Sequence, residues 1–156
     1  MGLLQPHERH RRRARPAGLS RTPRKAVVVH SLAQALAAAD AAASLKVPLT
    51  LLSGRGAAGY AGPGWFLAVV RLAHAAHPEV AVTAILDCAD QPGRALGALR
   101  AGAKVLRLGG NAQARKRVAA IAGAMGARLD DTRYAVLDLA RVTDPEGAAK
   151  AFLKAS

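Results

Sequence analysis

This chain is poor in cysteine, in aromatic residues and in acidic side chains, and it has no long apolar run. Its one cysteine, Cys88, cannot form an intramolecular disulfide, which fits a reducing compartment. Aromatic residues make up 3% of the chain, so a core drawn from a 51% hydrophobic composition must come mainly from Ala, Leu and Val. Alanine favours helix but buries little area, which predicts a compact, helix-rich domain of moderate stability. No stretch reaches the roughly 18 apolar residues of a membrane span. The N-terminus carries Arg and His with no apolar segment behind them, so no secretory signal is read and a cytoplasmic protein is expected.

The shortage of acid leaves 23 Lys and Arg against 10 Asp and Glu, a formal charge of +13. Residues 1–25 hold eight basic side chains against Glu8 alone, a net of +7, and the remainder carries +6. Two readings of this tail stand side by side. Runs of like charge stay solvated and disordered. They also attract polyanions in a salt-dependent way, so binding of nucleic acid or an acidic surface through residues 1–25 is the alternative. No aromatic side chain is interleaved there to stack on bases. The expected division is a basic, disordered tail over 1–25 and one α/β domain over 26–156.

Past Pro23 the pattern becomes regular. Short apolar runs at 26–30, 49–52, 80–86, 105–108 and 134–139 read as strands. Helical segments are expected at 32–46, 65–76, 93–101, 112–125 and 145–154. Ser31 and Asp144 are placed as N-caps, Pro145 as a first-turn residue and Gly102 as a C-cap. Trp65 and Phe66 read as core anchors, and His74 and His77 as surface residues. Helix 112–125 carries a basic face from Arg115, Lys116 and Arg117. About five strands alternating with helices predict an α/β fold with a parallel sheet.

Sites in such folds form at the C-terminal ends of strands. Those ends carry His30; Ser53, Gly54, Arg55 and Gly56; Asp87, Cys88 and Asp90; Gly109, Gly110 and Asn111; and Asp138 with Arg141. The loop at 53–64 holds five glycines, and such loops either make turns or present backbone N–H groups to an anion. Arg55 adds a guanidinium for a phosphate. The loop matches neither the P-loop nor the dinucleotide fingerprint. Asp87 is the candidate proton-transfer carboxylate. Cys88 reads either as a small core residue or, with His30, as a metal ligand.

The order of these pieces resembles the class II fructose-bisphosphate aldolase family over roughly residues 28–111. Ser31-Leu32-Ala33-Gln34-Ala35 is similar to that family's Asn-x-x-Gln-Ala segment, and Gly56-Ala57-Ala58-Gly59-Tyr60-Ala61-Gly62 to its Gly-Ala-x-x-Tyr-x-Gly loop. Ile85-Leu86-Asp87-Cys88-Ala89 stands where the family has a His-x-Asp-His-Gly type motif. Leu108-Gly109-Gly110-Asn111 stands where it has Ile-Asp-Gly-Ser. The resemblance implies an aldolase-type barrel and places Asp87 at the catalytic carboxylate. It also implies zinc, but Ile85 and Cys88 replace its histidines, Gly109 replaces an Asp, and the later His-Gly-Gly motifs have no counterpart. A Lewis-acid zinc takes about three protein ligands, and at most Cys88, Asp87 and His30 are available here.

The chain is also far below the ~250 residues of a full barrel. The expected architecture is therefore a partial aldolase-type TIM barrel or an open flavodoxin-like sheet, paired through its edges in a homodimer. The expected function is that of a degenerate, non-catalytic relative keeping a phosphate or sugar-phosphate pocket at Ser53, Gly54, Arg55, Gly56, Gly109, Gly110 and Asn111, or a partner-binding role. No cofactor is expected. The alternative is a minimal lyase or isomerase with Asp87 as base, zinc then sitting on Cys88 and His30.

Overall fold

In the computed structural model, residues 22–155 are described; the basic stretch before Thr22 lies outside them. Six strands are present: β1 (Lys25–Val29), β2 (Leu49–Ser53), β3 (Val82–Asp87), β4 (Val105–Arg107), β5 (Arg128–Leu129) and β6 (Ala135–Asp138). Helices α1 (Leu32–Leu45), α2 (Ala57–Tyr60), α3 (Pro63–Ala76), α4 (Pro92–Arg100), α5 (Ala112–Ala124) and α6 (Pro145–Lys154) separate or follow them. Every strand pairing is parallel, in the order β5-β4-β3-β2-β1-β6. The expected α/β parallel fold is present, and the sheet is not closed.

Local chemistry explains the element ends. Ser31 caps α1 by accepting from Gln34 N at 3.2 Å, and Asp144 caps α6 by accepting from Gly147 N at 3.0 Å. Gly102 and Gly126 follow α4 and α5 with φ of 102° and 70°, conformations glycine takes without a Cβ penalty. Two elements were not read from the sequence. The helix α2 lies within the glycine-rich loop, where five glycines masked a single turn. Strand β5 is two residues long, too short to show a period.

Alternation sorts the strands into two faces. Val27, Val29, Leu49, Leu51, Leu86 and Leu106 face the helices, with Phe66, Val69 and the alanines of α1 against them. Ala35, Ala38, Ala39, Ala41 and Ala42 are all buried, and their small side chains let α1 pack closely between α3 and α6. On the other face Ala26, Val28, Leu52 and Ile85 form a separate cluster with Val105 and Tyr134.

The link from β5 to β6 sets the curvature. These strands are the two edges of the sheet, five inter-strand gaps apart, or about 24 Å if flat. Only residues 130–134 join them, a reach of about 21 Å fully extended. The sheet must therefore curl, with residues 130–134 crossing its inner face. That curl is barrel-like, and it excludes a flat open sheet.

Outside the sheet, His77 lies half-buried at the surface and is paired with two carboxylates. Its Nε2 lies 2.5 Å from Asp40 Oδ1 on α1, and its Nδ1 lies 3.3 Å from Glu79 Oε1. The hydrogen bond to Asp40 raises its pKa above 6.5, against a smaller opposing effect of burial, with Glu79 adding to the rise. The contribution to stability is thus full below the unfolded value near 6.5 and fades as pH climbs through the raised folded value. Thermal melts of the chain and of Asp40→Asn should differ most below the unfolded value near 6.5 and converge as pH rises past the raised folded one. A gap that widens with pH would contradict this assignment.

Candidate functional site

The C-terminal ends of β2, β3 and β4 are bound together by a short set of hydrogen bonds. Ser53 Oγ, 2% exposed, accepts from Asp87 N at 2.9 Å and donates to Gly54 O at 3.1 Å. Asp87 Oδ1 then accepts from Gly56 N at 2.9 Å and from Ala89 N at 2.8 Å. Cys88 N donates to Arg107 O at 2.8 Å and Gly109 N to Ala89 O at 2.7 Å, which draws β4 alongside. Two positions require special backbone. Gly56 has φ 73°, and Gly110 has φ 85° with a would-be Cβ 3.1 Å from Asp90 Cβ.

These bonds frame a cavity of about 440 Å³ lined by Arg55, Asp87, Ala89, Asp90, Arg107, Gly109 and Gly110. Of the residues expected to bind a ligand, Arg55, Gly109 and Gly110 line it. Ser53, Gly54 and Gly56 build the loop instead. Asn111 caps α5, its Oδ1 accepting from Gln113 N at 2.9 Å and Ala114 N at 3.0 Å. Arg107 was missed because it reads as interior to a strand. Its signal was there: in Val105-Leu106-Arg107 the alternation that buries Leu106 in the core turns Arg107 to the inner face.

Arg107 is also held by the crossing segment. Its Nη2 donates to Thr132 O at 3.0 Å, and the guanidinium sits 5.6 Å from the centre of the Tyr134 ring. Asp130, 3% exposed, accepts on Oδ1 from Arg128 at 3.0 Å and Thr132 at 2.9 Å. Burial pushes its pKa up, but those two partners outweigh it and the net shift is downward, so the carboxylate is charged. Its Oδ2 is buried with no hydrogen-bond donor, and Arg107 Nη2 stands 3.8 Å away.

A second group sits on β1 and β6. His30 Nε2 lies 2.7 Å from Asp138 Oδ1, which also accepts from Ala140 N at 2.9 Å. Burial opposes ionisation of Asp138, but the Ala140 N–H and His30 overcome it and its pKa is lowered. An ionised partner on Nε2 fixes the proton there, leaving Nδ1 as the acceptor in neutral His30. Gly54 makes room for this pair. A Cβ on it would lie 2.5 Å from Tyr60 Oη and 2.9 Å from His30 Cε1.

The expected metal pair does not assemble. The Cys88 side chain is 1% exposed and packs in the helix-side core, whereas His30 pairs with Asp138. Burial, reinforced by the charge of Asp87, pushes the Cys88 thiol up to about 12, far from a metal-binding thiolate. Ile85, at the other zinc position, is fully buried. Among the described residues no three His, Cys, Asp or Glu side chains are grouped to hold a metal ion. The donor set does not fit zinc.

The curled parallel sheet, with its helices on one side and its polar groups at the strand ends, has a counterpart among solved structures. A crystal structure from Coccidioides immitis, of a protein designated a candidate fructose-1,6-bisphosphate aldolase, superposes with a TM-score of 0.52 at 21% identity. The fold is aldolase-like. The match covers 69% of this chain, which spans 44% of the length of that one. No protein-family model and no curated protein sequence matches. A depression of about 450 Å³ at the other end of the strands, lined by Thr50, Thr83 and Arg128 among others, lies away from the ends where aldolase-type barrels carry their chemistry.

The His30–Asp138 pair makes a direct prediction. A lowered carboxylate pKa contributes stability above the usual value, and that contribution is lost as pH falls through the lowered one. His30→Ala should move the Asp138 titration, followed by carboxyl carbon NMR, back up toward 3.8. Gly54→Ala should shift it the same way by displacing His30. An unchanged titration in both variants would sink the pairing.

Proposed function

We propose that this chain is a non-catalytic, aldolase-like protein that binds a small phosphorylated polyol at the C-terminal mouth of its sheet. The observation carrying this reading is that Arg55 and Arg107 line one cavity with Asp87 and Asp90. A ligand there must satisfy both signs. A phosphate suits the guanidinium groups, through charge-assisted and bidentate bonds. Hydroxyl donors suit the carboxylates. Gly109 and Gly110 leave the cavity wall without side chains, so a ligand approaches the backbone directly.

The same geometry supports the absence of turnover. Asp87 Oδ1 is engaged by two backbone N–H groups that hold the loop, and the Cys88 thiol faces the helices. Among the described residues no metal-ligand set is grouped to polarise a carbonyl. The β6 edge of the sheet pairs on one side only and exposes Val136, which supports self-association as a homodimer through that edge. Among the described residues no helix is long and apolar enough to cross a membrane.

Calorimetric titration of the full chain with glycerol 3-phosphate should show binding that exceeds that of either glycerol or inorganic phosphate. Arg55→Ala, at an exposed position, should weaken it about tenfold, as expected for one charge-assisted bond. The ligand should be recovered unchanged. Absence of binding, an Arg55→Ala variant that binds equally, or conversion of the ligand would each overturn the proposal.

A further inference from the structure

The cavity at the strand mouth uses only Arg107 of the strongest charge asymmetry in the domain. Residues 94–133 hold nine basic side chains against Asp130 and Asp131, a net of +7 in forty residues. The rest of the described chain, residues 22–93 and 134–155, holds eight basic against seven acidic, a net of +1. The excess is concentrated on one edge of the molecule, formed by α4, β4, α5 and β5. Asp130 and Asp131 are taken by Arg128 and Arg115, at 3.0 Å and a closer contact respectively. Among the described residues Arg94, Arg100, Lys116, Arg117 and Arg133 have no ion-pair partner.

Helix α5 stands at the centre of this edge and is barely covered. Only Val118 and Ala122 of its 13 residues are buried. Its outer face carries Lys116, Arg117 and Gln113 around a shallow depression floored by Ala120. Lys116 also borders a second depression that runs between α5 and β5 to Arg128. The two depressions share Lys116, and Arg115, Arg117 and Arg128 line one or the other beside the helix.

We propose that the outer face of α5 docks on double-stranded DNA, bound through its phosphate backbone without sequence preference. Charge complementarity selects a polyanion, since an edge this positive repels a second copy of itself. The absence of aromatic side chains in residues 94–133 disfavours single strands, whose binding relies on stacked bases. A helix exposed along most of its length fits the B-form major groove, which is about 12 Å wide, whereas the deep groove of A-form RNA excludes it. Lys116 and Arg117 then reach phosphates on either wall. This surface is separate from the small-molecule cavity, and neither depends on the other.

The test uses the full chain and a fluorescent DNA duplex of about 20 mixed-sequence base pairs, titrated by anisotropy between about 50 and 200 mM KCl. Lys116→Ala with Arg117→Ala should flatten the slope of log affinity against log salt by about 1.8, some 0.9 for each lost phosphate contact. Lys150→Ala with Lys154→Ala removes the same charge from α6 and should leave that slope unchanged. Lys116→Arg with Arg117→Lys should restore binding. Equal loss in the α5 and α6 pairs, or loss confined to a variant with Arg11, Arg12 and Arg13 replaced by Ser, would overturn the proposal. So would equal or tighter binding of an RNA duplex of the same sequence.

Discussion

A parallel sheet with all its helices on one side has a second apolar face that must be kept from water. In an eight-stranded barrel the remaining strands do this by closing the ring. Here residues 130–134 do it, crossing from β5 to β6 over the inner face, with Tyr134 packed on the cluster of Ala26, Val28, Leu52 and Ile85. The cover is polar as well as apolar. Asp130 anchors one end of it, and Arg107 bonds Thr132 O and lies near the Tyr134 ring. Curvature, inner core and the placement of Arg107 in the cavity all depend on that one crossing.

Arg107 joins the fold to the site. It lines the cavity with Arg55, yet it also stands 3.8 Å from the unpartnered Asp130 Oδ2. A buried charged oxygen without a donor costs about 1–3 kcal/mol, so the arginine is drawn two ways. The loop opposite is fixed differently, by Asp87 accepting from Gly56 and Ala89. Through these bonds Asp87 acts as the clamp of a glycine-rich loop.

Much of the architecture was legible because its signals are local. The β-branched runs of β1 and β3, the caps at Ser31 and Asp144, and the turn at Gly102 each act within a few residues. What escaped depends on distant neighbours. Val136 alternates like a core residue but is 48% exposed because β6 is an edge strand. Asp130 and Tyr134 read as connector and strand start, since nothing near them reveals that the connector crosses the sheet. Cys88 and Asp87 are adjacent in sequence, yet alternation sends one to the helices and the other toward the cavity. Among the residues lining the cavity, Arg55, Gly109 and Gly110 were legible from their place at strand ends, while Arg107 needed the sheet's two faces to be told apart.

The most direct test of this dependence is a double-mutant cycle on Arg107 and Asp130, read by urea denaturation of Arg107→Ala, Asp130→Ala and the pair. If the crossing segment is held through these two groups, the single losses should be non-additive, with a coupling of about 1–3 kcal/mol. Additive losses would mean that Arg107 and Asp130 act independently, and that the inner face is covered by some other means.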